Sequence, residues 1–183
     1  MFFSLKNQLF RFILLSTILY LGWTALYEFY LHKRTSFDAS VIHALVVTAE
    51  GTLEICGQSI TDYTAVDGEF RQHVGIANSL GVTIGAPCDG VVLYVLFVCF
   101  IAAFPGPWKH KLWFLPLGAL SIFYINALRV VALAVIVSIN PDWLAFNHDY
   151  TFTILVYAYV FALWVIWVKW FANLNQSKVH TAT

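Results

Sequence analysis

Gly85-Ala-Pro-Cys-Asp-Gly90 runs directly into Val91-Val-Leu-Tyr-Val-Leu-Phe-Val-Cys-Phe-Ile-Ala-Ala-Phe104, an apolar stretch without a charge that stops at Pro105-Gly-Pro107. Pro87 suits the first turn of a helix, so the reading is a membrane helix over about 88–104 with Cys88 at its mouth. Three further apolar runs flank it, at about 9–31, 112–139 (ending at Asn140-Pro141) and 149–171. Each is near the ~20 residues a spanning helix needs. Lys6 and Arg11 flanking the start of the first run invite comparison with a cleaved signal peptide. The run is too long for that, and no small-x-small site ends it, so a retained helix is expected. Glu28, near its far end, reads as an interfacial charge beside Lys33 or Arg34. The fold class expected is all-α: a polytopic membrane helix bundle of about four transmembrane helices with a small mixed extracytoplasmic insertion at about 35–87. The chain, 1–183, reads as a single membrane domain.

Composition agrees. Sixty per cent of the 183 residues are hydrophobic and 11% charged, and the mean hydropathy is +0.75, whereas soluble domains carry about a quarter charged residues. Seven Trp, nine Tyr and sixteen Phe suit a bilayer protein with aromatic interfaces. A formal net charge of zero excludes an electrostatic case for nucleic-acid binding. Cys56, Cys88 and Cys99 form no CxxC pair, and the six histidines have no ligand spacing, so no metal or cofactor is expected. The odd count leaves at least one thiol unpaired within the chain, and a Cys56–Cys88 disulfide would disable any nucleophile at Cys88.

The insertion differs in kind. Ser36-Phe-Asp38 looks like a helix start, and Phe37, Val41, Ile42, Leu45 and Val46 fall at helical spacing, predicting a short amphipathic helix. Strand-like pieces follow at Thr52–Ile55, Ile60–Val66, Phe70–Ile76 and Leu80–Ile84, with a turn at Asp67-Gly68. Such a segment buries little by itself and is expected to lie across the outer mouth of the helices. With four spans and the N-terminus inside, Lys6, Arg11, Lys109, Lys111, Lys169 and Lys178 fall on the cytoplasmic side, against Lys33, Arg34 and Arg71 outside. That count favours this orientation although Lys33-Arg34 opposes it. It puts Cys88, the outer half of the third helix and His148 on the exterior.

Three residues carry chemistry. A thiol at a helix start can have its pKa lowered by the helix dipole, which makes Cys88 a candidate nucleophile. The bland alternative is a small buried cysteine. Arg129 lies inside a span, in Asn126-Ala-Leu-Arg129, where a charge costs at least about 2.5–3.5 kcal/mol and normally faces the bundle interior. It is either functional or paired to a structural carboxylate such as Glu28 or Asp149. Asn126 shares its helix face and could bond it or a substrate. His148 opens the last run beside Asp149, and histidine is the side chain best suited to moving protons near neutral pH. Asp89 either complements the helix N-terminus or tunes Cys88. Cys99, mid-span, reads as packing. Together, Cys88 as nucleophile, His148 as proton carrier and Arg129 at the oxyanion describe cysteine acyl transfer.

Cys-Asp-Gly opening one helix, Asn-Ala-Leu-Arg inside the next and His heading the following one resemble the exosortase/archaeosortase family, over roughly residues 80–171. With about four spans the chain resembles its compact members. The resemblance implies an integral membrane cysteine transpeptidase in a bacterial or archaeal cell membrane; the four apolar runs make it multi-pass, and the cation count has its active site facing outside. The resemblance also implies Cys88, Arg129 and His148 as the catalytic set; Asn126 and Asp89 are supporting candidates by their places beside Arg129 and Cys88. The partners implied are membrane lipids and exported proteins bearing a C-terminal motif, a transmembrane helix and a basic tail. Residues 35–87 match no motif of that family. Two rivals stand beside this reading. One is a quinone-linked thiol oxidoreductase using Cys56 and Cys88, which generally needs the CxxC pair missing here. The other is a non-catalytic membrane assembly subunit with a structural Arg129. A serine rhomboid is disfavoured because no GxSG-like motif lies in a span, and no HExxH motif is present.

Overall fold

A computed structural model describes residues 2–31, 37–61, 72–85 and 88–172, with side chains from residue 10 onward. The chain is mostly helical. Helix α1 (Phe2–Leu26) continues through a π-helical turn (Tyr27–Leu31). Then come α2 (Phe37–Ile55), strands β1 (Gln72–Val74) and β2 (Val82–Ile84), α3 (Val91–Ala103) and α4 (Trp108–Ile139). A 3-10 turn at Pro141–Trp143, a single helical turn at Leu144–Phe146 and a π-helical turn at Asn147–Thr151 lead into α5 (Phe152–Ile166), which ends in a π-helical turn at Trp167–Phe171. Three helical stretches, Phe10–Leu31, Trp108–Ile139 and Pro141–Phe171, are long and apolar enough to cross a membrane.

Several expected boundaries change. The last helical stretch, expected from about 149, begins at Pro141, so His148 lies within it and not at its head, and the third begins at Trp108, not about 112. The run expected as a span over 88–104 gives a helix of 13 residues, about 20 Å at 1.5 Å per residue and well short of a ~30 Å hydrocarbon layer. Gly90, at φ 80, breaks the helical backbone before Val91, and Phe104 turns extended at the other end. Thr52–Ile55, expected as a strand, is the last turn of α2. Thr52 Oγ1 bonds back to the Thr48 carbonyl at 2.7 Å. Leu53, 1% exposed, continues the stripe of Ile42, Leu45, Val46 and Ala49, and Gly51 costs a helix only about 1 kcal/mol. The strands at 72–74 and 82–84 fall within the pieces expected at 70–76 and 80–84 and pair antiparallel. Of the piece expected at 60–66, Ile60 bridges Ile76; the remainder beyond Thr61, and the turn at 67–68, lie outside the described residues.

The α2 stripe packs on Ala127, Val130 and Ala134 of α4 together with Val74 and Ile84 of the hairpin. The insertion therefore shares one core with the helices. A second core joins α3, α4 and α5 through Phe97, Ile101, Phe114, Ile122, Val160 and Trp167. Helix α1 lies outside, with Phe12 edge-on to Phe100 and Phe104, and Tyr27 donates to Asp38 Oδ2 at the head of α2 at 3.1 Å. Lys33 and Arg34, the expected neighbours of Glu28, lie outside the described residues. Lys111 is buried, and its Nζ donates to the Ala102 and Phe104 carbonyls at 2.9 and 2.8 Å, closing the C-terminal end of α3. Cys88 lies before the opposite end of that helix.

Where α3 and α4 meet, Gly118 sits under Phe97: a Cβ there would lie 2.2 Å from Cζ of that ring, which is itself fully buried. Gly118→Ala is expected to destabilise the protein by about 1–3 kcal/mol, read as a lower midpoint of thermal unfolding in detergent. An unchanged midpoint would contradict this packing.

Candidate active site

The site is assembled from the α2–α3 connection, α4 and the segment before α5. Cys88 sits in a single tight turn, its N–H donating to the Gly85 carbonyl at 2.8 Å. Asp89, 3% exposed, accepts from Val91 N–H through Oδ1 at 2.8 Å; its Oδ2 is buried without a hydrogen-bond partner. It thus complements the start of α3, one of the two roles expected of it. Gly90 is required twice over. Its φ of 80 suits glycine, and a Cβ there would lie 2.9 Å from Asn126 Nδ2. Asn126 is fully buried and uses that nitrogen to donate to the Cys88 carbonyl at 3.1 Å. Its expected partners were Arg129 or a substrate; the structure gives it the loop that carries the sulfur.

The π-helical turn at 147–151 presents His148 to that loop. Cys88 Sγ and His148 Nε2 lie 2.8 Å apart across 60 residues of sequence. His148 Nδ1 lies 2.8 Å from Asp149 Oδ1. A carboxylate accepts, so Nδ1 carries the proton and Nε2 is left to take one from the thiol. One turn inward, Arg129 Nη2 donates to the His148 main-chain carbonyl at 3.3 Å, and Thr153 Oγ1 donates to the same oxygen at 2.9 Å. Arg129 Nε is buried without a hydrogen-bond partner. Among the described residues no carboxylate pairs with Arg129, so neither Glu28 nor Asp149 is its structural counterion. Asp89, Gly90, Arg129, His148, Thr153 and Tyr157 line a cavity of about 180 Å³ beside the sulfur's partner ring.

The structure thus brings Cys88, His148 and Arg129 together, with Asn126 and Asp89 around the sulfur's loop. Two contributors were missed in the sequence. The sequence marks Asp149 only as a partner for Arg129 and as a neighbour of His148, and that adjacency is its signal. Thr153 carries no motif at all. Cys56 is exposed with a free thiol, and Cys99 is half-buried in α3, where it lines an apolar cavity of about 550 Å³ between α1 and α3. Neither reaches the site.

The expected dipole-lowered thiol is a correction. Burial pushes the Cys88 thiol up, while the Arg129 cation and a backbone hydrogen bond from Gly85 pull the other way and do not win. The reason is local: α3 begins three residues after the sulfur, and its first N–H is already taken by Asp89. Burial also lifts Asp89 to about 6. A raised thiol is mostly protonated at neutral pH, so attack depends on a base, and His148 is placed to be one. The sign of the Arg129 effect gives a test. Alkylation of Cys88 by iodoacetamide should have its midpoint above the ordinary thiol range, and Arg129→Gln should move it further up. A midpoint that falls on removing the cation would contradict the arrangement.

Searches against protein-family models, curated proteins and solved structures find no match to this chain.

Proposed function

We propose that the chain is a membrane-embedded cysteine peptidase or transpeptidase of the exosortase kind, acting on exported proteins that carry a C-terminal motif, a transmembrane helix and a basic tail. The single observation that carries this is the 2.8 Å contact between Cys88 Sγ and His148 Nε2, with Asp149 on the other ring nitrogen. Cys, His and Asp in that order form the relay by which buried thiols are activated for acyl transfer.

In the proposed reaction His148 Nε2 takes the thiol proton and Cys88 Sγ bonds to a peptide carbonyl carbon. Arg129, whose charge acts on Cys88, stabilises the oxygen that becomes negative. The C–N bond then breaks, His148 returns the proton to the departing amine, and the acyl group stays on sulfur as a thioester. Water or an amine attacks that thioester and restores the thiol. The finer architecture belongs to the same proposal: α3, though short, is the fourth membrane-inserted helix. The N-terminus and the Lys109–Lys111 end of the bundle face the cytoplasm, and Cys88 faces outside. The placing of Lys109 and Lys111 at the end of α3 away from Cys88 supports that polarity.

The rivals are separated by the cysteines. Acyl transfer requires one thiol, dithiol chemistry two, and a scaffold none. When a tailed substrate is co-expressed with the enzyme, wild type and the double variant Cys56→Ser/Cys99→Ser should both release the tail. Loss of release in the double variant would favour dithiol chemistry, and a substrate left intact by wild type would remove the peptidase reading.

A further inference from the structure

The hairpin before the nucleophile turn has an open side. Thr61 N–H donates to the Gly75 carbonyl at 3.1 Å and Ala77 N–H to the Ser59 carbonyl at 2.7 Å, so residues 75 and 77 turn their main chain toward segment 59–61. Alternation along an antiparallel ladder then turns Val74 and Gln72 toward β2, where they face Val82 and Ile84. Thr83, opposite His73, is therefore in a non-hydrogen-bonded pair, the kind whose side chains approach closely. The 3.0 Å contact between Thr83 Oγ1 and His73 Nδ1 fits. It follows that the N–H and C=O of Thr83 point away from β1. Neither has a backbone partner among the described residues, and Thr83 is exposed.

This edge is rigid and aimed. Val82 is buried against Leu133 and Val137, and Ile84 sits in the core shared with α2 and α4. Two residues beyond Thr83, about 6.6 Å along the strand, Gly85 lies on the same edge and its carbonyl holds the Cys88 N–H. An unpaired strand edge is a template for another extended chain, which it reads through the main chain.

We propose that an extended polypeptide docks as an added strand along the outer edge of β2, bonded to the Thr83 main chain, and that this register carries its backbone to Cys88. The inference rests on the reading of Cys88 as the nucleophile and deepens it by naming how a substrate segment is held. The partner is an extended, unfolded peptide, recognised first by its amides.

The test compares two reagents with one reactive group: acetyl-tetraalanyl chloromethyl ketone, which can add as a strand, and chloroacetone, which cannot. Both alkylate the Cys88 sulfur through the methylene and release chloride, and mass spectrometry reads labelling at Cys88 in the full chain. Wild type should label faster with the peptide reagent. Thr83→Pro removes the outward N–H but no ladder bond, a change edge strands tolerate, and should cut the peptide's advantage about tenfold, as expected for one lost main-chain hydrogen bond. Thr83→Val, which keeps the main chain, should retain it. If chloroacetone labelling also changes in the proline variant, the turn itself has moved. The wild-type protein with singly N-methylated peptides then decides, and methylation at one amide should abolish the advantage. No peptide advantage in wild type, or an advantage that survives every methylation, would overturn the proposal. Labelling needs no turnover. A strand advantage without tail release would therefore sink the peptidase reading and leave the docking edge standing.

Discussion

Cys88→Ala should release no tail at all, a loss of roughly 10⁴-fold or more, the scale seen when a nucleophile is removed and only binding remains. The fold should survive it. The turn is held by main-chain groups: Cys88 N–H on the Gly85 carbonyl and the Cys88 carbonyl under Asn126 Nδ2, and alanine keeps both. The side chain is only half-buried, so its loss should cost no more than about 1 kcal/mol. The expected result is abolished release with an unfolding midpoint close to wild type. Cys88→Ser tests the same point with the smallest change, because a hydroxyl in this setting is a far weaker nucleophile than a thiolate. Release by the alanine variant at a tenth of the wild-type rate or better would mean the sulfur is not the attacking group.

His148→Ala should lower turnover by about 10² to 10⁴-fold, the range general acid–base catalysis supplies. Here the requirement for a base follows from burial. Since burial keeps the Cys88 thiol high, the sulfur does not ionise unaided at neutral pH. The His148 contacts to Arg129 and Thr153 run through the main-chain carbonyl. Removing the ring should therefore leave the segment in place, and the loss should appear in kcat more than in KM. Raising the pH should recover part of the activity of His148→Ala, because hydroxide can then deprotonate the thiol that the imidazole no longer serves. A variant whose kcat is unchanged while KM rises would make His148 a binding residue instead.

Much of this architecture was legible because helices long and apolar enough to cross a membrane announce themselves as long apolar runs; those expected from about residues 9 and 112 needed little else. The shortening of the run at 88–104 was not legible. Hydropathy does not register that Gly90 takes a left-handed conformation under Asn126, and that contact is between residues 36 apart. Thr52–Ile55 was misread because Glu50-Gly51 looks like a break, whereas Leu53 continues the buried α2 stripe and tertiary packing decides. Within the site, a cation inside an apolar helix and a histidine at the start of an apolar run drew notice by their oddity, although His148 lies within the helical stretch Pro141–Phe171 and not at its head. The contribution of Asp149 depends on a π-helical turn that aims His148 at the sulfur, and no periodicity in Asn147-His-Asp-Tyr-Thr151 signals such a turn. The electrostatics of Cys88 went the other way from expectation for a related reason. Where α3 starts, and what already occupies its first amide, is set by Asp89 and Gly90 in three dimensions.

The central claim is that Cys88 carries the acyl group between two halves of one reaction. Incubating the wild-type enzyme with a tailed substrate, quenching in acid and mapping the digest by mass spectrometry tests it directly. The expected result is a substrate fragment on Cys88 that hydroxylamine removes, absent from Cys88→Ala and longer-lived in His148→Ala, where water is activated more slowly. Tail release by the wild type with Cys88 unmodified at every time point, or the same adduct on Cys56 or Cys99, would contradict it.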